Sequence, residues 1–141
     1  ELTCGIFYGH GGSVNGTHWL GLPGNPVSAL IGGELFIRPM LRKMSGSQRL
    51  YPRPVTAIAA EPFKGSESMT HLIRGILTRA ENGELHARST GPQGSGILSS
   101  MAAANALLVV PPGRAIGPGE IVTALPLDSD AHLTERFELR A

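Results

Sequence analysis

The chain has 141 residues, of which 41% are hydrophobic and 16% charged, with a net charge of +1. That is enough apolar matter for an ordinary core, and it excludes the strong basic field that recruits nucleic acid or an anionic membrane. The single Cys4 excludes an internal disulfide framework and fits a reducing compartment. With no signal-peptide pattern and no apolar run near the ~20 residues of a membrane span, the expected location is cytoplasmic.

The first fifteen residues are weakly patterned. Cys4 to Tyr8 can form a strand, and Gly9-His10-Gly11-Gly12-Ser13 reads as flexible loop. His-Gly-Gly would suit an esterase oxyanion loop, but no Gly-x-Ser-x-Gly elbow follows it anywhere. Thr17 to Leu20 reads as a short buried strand. After it, Gly21-Leu22-Pro23-Gly24-Asn25-Pro26-Val27-Ser28 constrains the backbone residue by residue. Pro23-Gly24 suits a type II turn with Gly24 at positive φ. Asn25, held extended by the following proline, suits an N-cap, and Pro26 suits the first helical position. A helix starting there presents the N–H groups of Val27, Ser28 and Ala29 and a positive dipole end to the turn, an arrangement that favours phosphate or another oxyanion. The competing reading is that Asn25 merely caps its own helix.

The helix carries an apolar stripe at Val27, Leu30, Ile31, Ile37, Leu41 and Met44 that needs cover. Gly32 and Gly33 point to a close backbone contact, because each costs up to ~1 kcal/mol against Ala in a helix interior. Pro39 lacks the donor for the Leu35 carbonyl, so a kink or break is expected near Arg38, and Ser45-Gly46 ends the helix. One strand and one helix cannot enclose a core. Residues 1–48 are therefore expected to be the last strand-turn-helix of an α/β domain whose earlier part is absent.

Residues 49–54, with Pro52 and Pro54, read as a linker. Beyond it the apolar period becomes two. Strands are expected at Val55 to Ala60, Leu72 to Thr78, Leu85 to Thr90, Asn105 to Val110 and Glu120 to Leu125, with Asn82-Gly83 as a hairpin signal and a helical turn at Ile97 to Ala104. Short strands with Gly/Pro turns between them predict a small, mostly antiparallel β-barrel over residues 55–128, followed by a charged tail at 129–141. Arg74 stands alone in the apolar strand Leu72-Ile73-Arg74-Gly75-Ile76-Leu77. It needs solvent, an ion pair or an anion there, since a buried unpaired charge costs several kcal/mol. His10, His18, His71, His86 and His132 are scattered without ligand spacing, Cys4 has no partner cysteine, and Asp128 to Asp130 read as solvated, so no metal ligand is assigned.

The wording of the central turn, Gly-Leu-Pro-Gly-Asn-Pro-Val-Ser, followed by Glu34-Leu35-Phe36-Ile37-Arg38-Pro39 and Leu41-Arg42-Lys43-Met44-Ser45-Gly46, closely resembles the molybdopterin molybdenumtransferase family, which includes the E domain of gephyrin. The likeness continues through Ile73-Arg74-Gly75, Asn82-Gly83, Ser89-Thr90-Gly91-x-Gln93-Gly94-Ser95, Leu98-Ser99-Ser100-Met101, Ala104-Asn105-Ala106 and Gly117-x-Gly119-Glu120-x-Val122. The resemblance implies insertion of molybdate into adenylated molybdopterin, with release of AMP and molybdenum cofactor, by a homodimer assisted by Mg²⁺ whose carboxylate ligands lie upstream of this chain. It implies Arg74 and Ser100 as molybdate contacts and Pro23, Gly24, Asn25, Pro26 and Ser28 as a cradle for nucleotide or pterin. Gln93 and Ser95 are loop candidates for the same pocket, against the competing reading that they satisfy local backbone groups. No catalytic residue is assigned. A Lys-Pro-Gly-Lys-Pro motif that the family carries before the turn has no counterpart in Glu1 to Gly9; either the chain starts just after it or it has diverged, and an oxyanion site lacking those lysines would be weaker. With an incomplete core and no acidic cluster, this chain alone is expected to be inactive. The alternative implied by the same family is a non-catalytic β-domain that helps bind a receptor peptide, as in gephyrin.

Overall fold

The computed structural model describes residues 10–94 and 96–127 together with the short strand Leu133–Thr134. The expected strand at Cys4 to Tyr8 and most of the expected tail lie outside the described residues.

The chain enters through a hairpin of β1 (His10–Val14) and β2 (Thr17–Gly21), registered with Val14 opposite Thr17. Asn15 and Gly16 sit at φ 51° and 78°, the left-handed pair that a two-residue turn needs to follow the strand twist. The segment expected to be loop is thus a strand. Nor is Thr17 to Leu20 buried. The hairpin forms a two-stranded sheet of its own, and Trp19 is 48% exposed.

The helix begins where the Asn-Pro pair puts it. Asn25 is extended (φ −71°, ψ 124°) and its side chain accepts from the Ser28 N–H. Gly24 does not take the positive φ of a type II turn; the chain bends straight into the cap, so the extended Asn25 sets the geometry instead. Helix α1 (Pro26–Gly32) passes into a π-helical turn, Gly33–Ile37, and on into α2 (Arg38–Met44). The expected kink at Pro39 takes this form. The Arg38 N–H reaches back five residues to the Gly33 carbonyl, and the widened turn accommodates the proline that cannot donate to Leu35. A Cβ on Gly33 would meet nothing within 4 Å, so the close contact expected there is absent. The helix closes in a Schellman motif, with Gly46 at φ 85°, its N–H on the Lys43 carbonyl and the Ser47 N–H on the Arg42 carbonyl.

Next come β3 (Tyr51–Pro52), β4 (Val55–Ala59), β5 (Phe63–Lys64), β6 (His71–Arg79), β7 (Leu85–Ser89), α3 (Leu98–Ala103), β8 (Ala106–Val110), β9 (Ala115–Ile116) and β10 (Ile121–Pro126), with β11 at Leu133–Thr134. Five of these strands close a barrel in the order β10-β4-β7-β6-β8. Four of its seams are antiparallel, and the parallel pairing of β4 with β7, Ile58 opposite His86, closes it. β5 pairs with β9 at its rim, while β3, in the expected linker, pairs with β11.

Period-two alternation then sorts the side chains. Ala57, Ala59, Ile73, Ala87, Ala106, Leu108, Val110, Val122 and Ala124 form the barrel interior with Phe63 and Ile116. The many alanines follow from the narrow bore, in which a few large side chains fill the space the small ones leave. The alternate positions Leu72, Leu107, Val109 and Leu125 face outward, and there Val27, Ile31 and Leu35 of the helix cover them. The helical stripe is therefore covered along one edge only. Leu30, Leu41 and Met44 stand 49%, 56% and 62% exposed.

Candidate functional site

Arg74 shares the outward face of β6 with Leu72 and pairs with Leu107 of β8, which places a guanidinium at the margin of the helix-covered face. It is only 2% exposed. β7 has already ended at Ser89, opposite Gly75, so on that side the stretch of β6 from Arg74 back to His71 has no strand beside it. The Gln93 carboxamide takes the strand's place. Its Oε1 accepts from the Arg74 N–H at 2.9 Å and its Nε2 donates to the Arg74 carbonyl at 3.2 Å. On the other flank, where β8 is only starting, Asn105 does the same for Leu77, accepting from its N–H at 2.7 Å and donating to its carbonyl at 3.0 Å. Both amides meet the requirement that buried backbone groups be paired.

The loop that supplies Gln93 also wraps the Arg74 side chain, whose Nη2 donates to the carbonyls of Gly94 at 3.2 Å and Pro92 at 3.4 Å. Gly91, at φ 94°, turns the chain into that loop. Thr90 connects Arg74 to Ser100. The Thr90 N–H donates to the Arg74 carbonyl at 3.0 Å, and its hydroxyl lies 2.6 Å from the Ser100 Oγ. Ser100, on α3, is 4% exposed. Gln93 and, through Thr90, Ser100 are thus tied to the Arg74 backbone; the Gln93 amide is spent on backbone groups, which leaves guanidinium and hydroxyl as the group types that suit a tetrahedral oxyanion. Thr90, which carries no role in the sequence analysis, is the link. Its only signal was a hydroxyl between a strand end and a glycine. Ser95 lies outside the described residues.

The turn cradle is arranged differently from expectation. Two of the three N–H groups thought open are engaged, Ser28 by the Asn25 Oδ1 at 3.2 Å and Ala29 by the Asn25 carbonyl at 2.9 Å. Ser28 is buried, with its hydroxyl 3.4 Å from the same Oδ1. The capping reading of Asn25 is the one the geometry displays. Pro23, Gly24 and Pro26 stand beside this cap, and α1 touches α3, the helix that carries Ser100. A separate groove of about 550 Å³, lined by His18, Leu20, Phe36, Pro39, Met44 and Tyr51 among others, shares no residue with the Arg74 patch.

Glu61 fastens the strand that leads into the site by accepting from the Ser89 N–H at 2.7 Å. Its carboxyl is held below the ordinary glutamate value by the Ser89 hydroxyl, then by that N–H, with the Arg88 guanidinium adding to them against a small desolvation cost. A depressed carboxylate contributes stability that is complete above its unfolded value and is lost as the pH falls through the folded one. The difference in denaturation midpoint between wild type and Glu61→Gln is therefore expected to be constant around neutrality and to shrink below the ordinary glutamate range. A difference that grew on acidification would contradict this.

Comparison with known proteins places these features. Residues 56–127 match the family model described as MoeA C-terminal region (domain IV). The chain is 31% identical over 119 residues to a molybdopterin molybdenumtransferase of Staphylococcus epidermidis, covering 84% of this chain and 28% of the relative. It is 31% identical over 119 residues to the Haemophilus influenzae protein of the same name, covering 83% and 30%. The molybdopterin biosynthesis MoeA protein of Pyrococcus horikoshii superposes with a TM-score of 0.56 at 31% identity, over 74% of this chain and 26% of that one. This chain thus spans somewhat over a quarter of the length of these curated relatives.

Proposed function

We propose, since the chain belongs to the family of the MoeA C-terminal region and so to molybdenum cofactor biosynthesis, that it is the C-terminal part of an enzyme inserting molybdate into adenylated molybdopterin. The observation that carries the reading is the hydrogen-bonded assembly of buried Arg74 and Ser100 with half-buried Gln93 and Thr90 on the barrel's outer face. In it Arg74 supplies charge-assisted donors to the molybdate oxygens and Ser100 a hydroxyl donor, while the loop around Gln93 holds both in place. Such preorganised donors act by stabilising charge where it develops.

The turn Pro23 to Pro26 with Ser28 serves, in this reading, as a wall for the pterin or nucleotide. The Asn25 amide leaves it fewer free backbone donors than a bare helix end would offer, so its contribution is shape more than charge. Residues 1–48 act as the edge of a molybdopterin-binding domain and 55–128 as the β-unit, in a protein that pairs as a homodimer in the cytoplasm. The reaction of the family uses Mg²⁺, which supplies charge neutralisation at the adenylate phosphate when bound. Among the described residues no three His, Cys, Asp or Glu side chains stand together. They do not form a cage for the ion. No helix of the described residues is long and apolar enough to cross a membrane.

The test is a chimera in which residues 10–127 replace the matching segment of the Staphylococcus epidermidis relative. Cofactor synthesis from molybdate and adenylated molybdopterin is expected to survive in a chimera that unfolds cooperatively. A well-folded chimera without activity would refute the reading.

A further inference from the structure

The dipeptide Asn-Gly occurs twice, at Asn15-Gly16 and Asn82-Gly83, and the fold holds the two in opposite ways. An asparagine ahead of glycine is open to attack on its own side chain, because glycine has no Cβ to shield its nitrogen. At Asn82 both partners in that reaction are occupied. The Asn82 Oδ1 accepts from the Glu84 N–H at 3.0 Å, and its Nδ2 donates to the Glu84 carboxylate. The Gly83 N–H donates to the Ala80 carbonyl at 2.9 Å, and the Ala80 N–H donates to the Glu84 carbonyl at 2.9 Å to close the turn. That turn joins β6 to β7, two strands of the closed barrel.

Asn15 has none of these restraints. It is exposed, and among the described residues neither its carboxamide nor the Gly16 N–H has a hydrogen-bond partner. In a two-residue turn the bonds across the strands run between Val14 and Thr17, which leaves the nitrogen between them free. Among the described residues only Asn15 is a non-glycine at positive φ, 51°, a conformation that side chains resist. Its hairpin pairs with no other strand among the described residues, and a two-stranded ribbon by itself is marginal in water. Gly11 and Gly12 in β1 add no side chains to hold it. Opening of this turn lets the Gly16 nitrogen swing onto the Asn15 Cγ.

We infer that Asn15 is a site of spontaneous covalent modification, deamidation through a succinimide, from which the fold protects Asn82. The Gly16 nitrogen gives up its proton and bonds to the Asn15 Cγ, the bond from Cγ to Nδ2 breaks, and ammonia leaves with that proton. Water then opens the five-membered ring at one carbonyl or the other and leaves aspartate or isoaspartate. Isoaspartate routes the main chain through the side-chain carbon, so the turn gains an atom and the pairing of Val14 with Thr17 is lost. Trp19, the chain's one tryptophan, reports that loss. It stands opposite Gly12 in the hairpin, and a Cβ built on Gly12 would lie 3.0 Å from the indole Nε1.

The experiment incubates the 141-residue chain in warm, mildly alkaline buffer, folded and in urea, and follows conversion at both asparagines by peptide mass spectrometry. The ratio of the two rates in urea removes whatever the flanking residues contribute. Relative to that ratio, Asn15 is expected to convert faster than Asn82 in the folded chain by about tenfold or more, the scale of the hydrogen bonds that hold the Asn82 side chain and the Gly83 nitrogen. If folding leaves the ratio unchanged, or protects Asn15 as fully as Asn82, the inference fails. Asn15→Asp carries the charge of the product without the extra main-chain atom and should keep the wild-type Trp19 emission, whereas incubated chain rich in isoaspartate should shift it. Emission that does not move with the isoaspartate fraction refutes the loss of register.

Discussion

Leu108→Ala is expected to lower the unfolding free energy by about 2–5 kcal/mol, the range for emptying a fully buried leucine site. Leu108 is 0% exposed and sits in the barrel interior against Gly75. A Cβ built on Gly75 would lie 2.6 Å from the Leu108 Cγ, so Gly75→Ala alone should cost about 1–3 kcal/mol by overpacking. The two changes share one volume. Combined, they should cost less than their sum, because the added methyl occupies part of the space that the shortened side chain leaves. Urea denaturation of the two single variants and the double variant checks this, and strict additivity would show that the interior does not close around this pair. The pair also bears on the site, since Gly75 follows Arg74, whose backbone is pinned by the Gln93 and Thr90 bonds.

The barrel was legible because its strands carry their own evidence. Val55 to Ala60, Leu72 to Thr78 and Glu120 to Leu125 alternate or run apolar between Gly/Pro turns, and the observed strands end within a residue or so of those limits. Closure was not legible. The parallel seam between β4 and β7 depends on which edges meet in space, and nothing in either strand's period specifies a neighbour. The β1–β2 hairpin was missed although Asn15-Gly16 is the same dipeptide as Asn82-Gly83. Its first flank, His10-Gly11-Gly12-Ser13, lacks the β-branched and aromatic residues that make a strand recognisable. At Asn82-Gly83 the dipeptide acts otherwise, with only Gly83 at positive φ and the Gly83 N–H bonded to the Ala80 carbonyl. At the site, Arg74 was conspicuous as a charge among apolar neighbours. Gln93 stood out only as a loop candidate for the pocket and Thr90 not at all, because their importance lies in finishing a ladder where β7 stops, and that is a property of register.

Arg74→Ala is expected to weaken molybdate use about ten- to hundredfold, the equivalent of the about 1.5–3 kcal/mol of a charge-assisted contact. The structure adds a second consequence. Arg74 Nη2 donates to the Pro92 and Gly94 carbonyls, so its removal leaves that loop short of donors and should also lower stability by about 1–3 kcal/mol. A fall in both quantities therefore does not separate a ligand from a loop anchor, and Arg74→Lys has to do so. Lysine can reach a carbonyl with its compact ammonium but cannot present the planar fork that binds two oxygens at once. A ligand role predicts that lysine restores much of the thermal stability while molybdate dependence remains impaired. An anchor role predicts that both recover together. The measurement is the molybdate dependence of cofactor synthesis in the active chimera, set beside thermal unfolding of the same proteins. Molybdate dependence unchanged in a folded Arg74→Ala variant would remove Arg74 from the oxyanion site and leave it as the pin of the Gln93 loop.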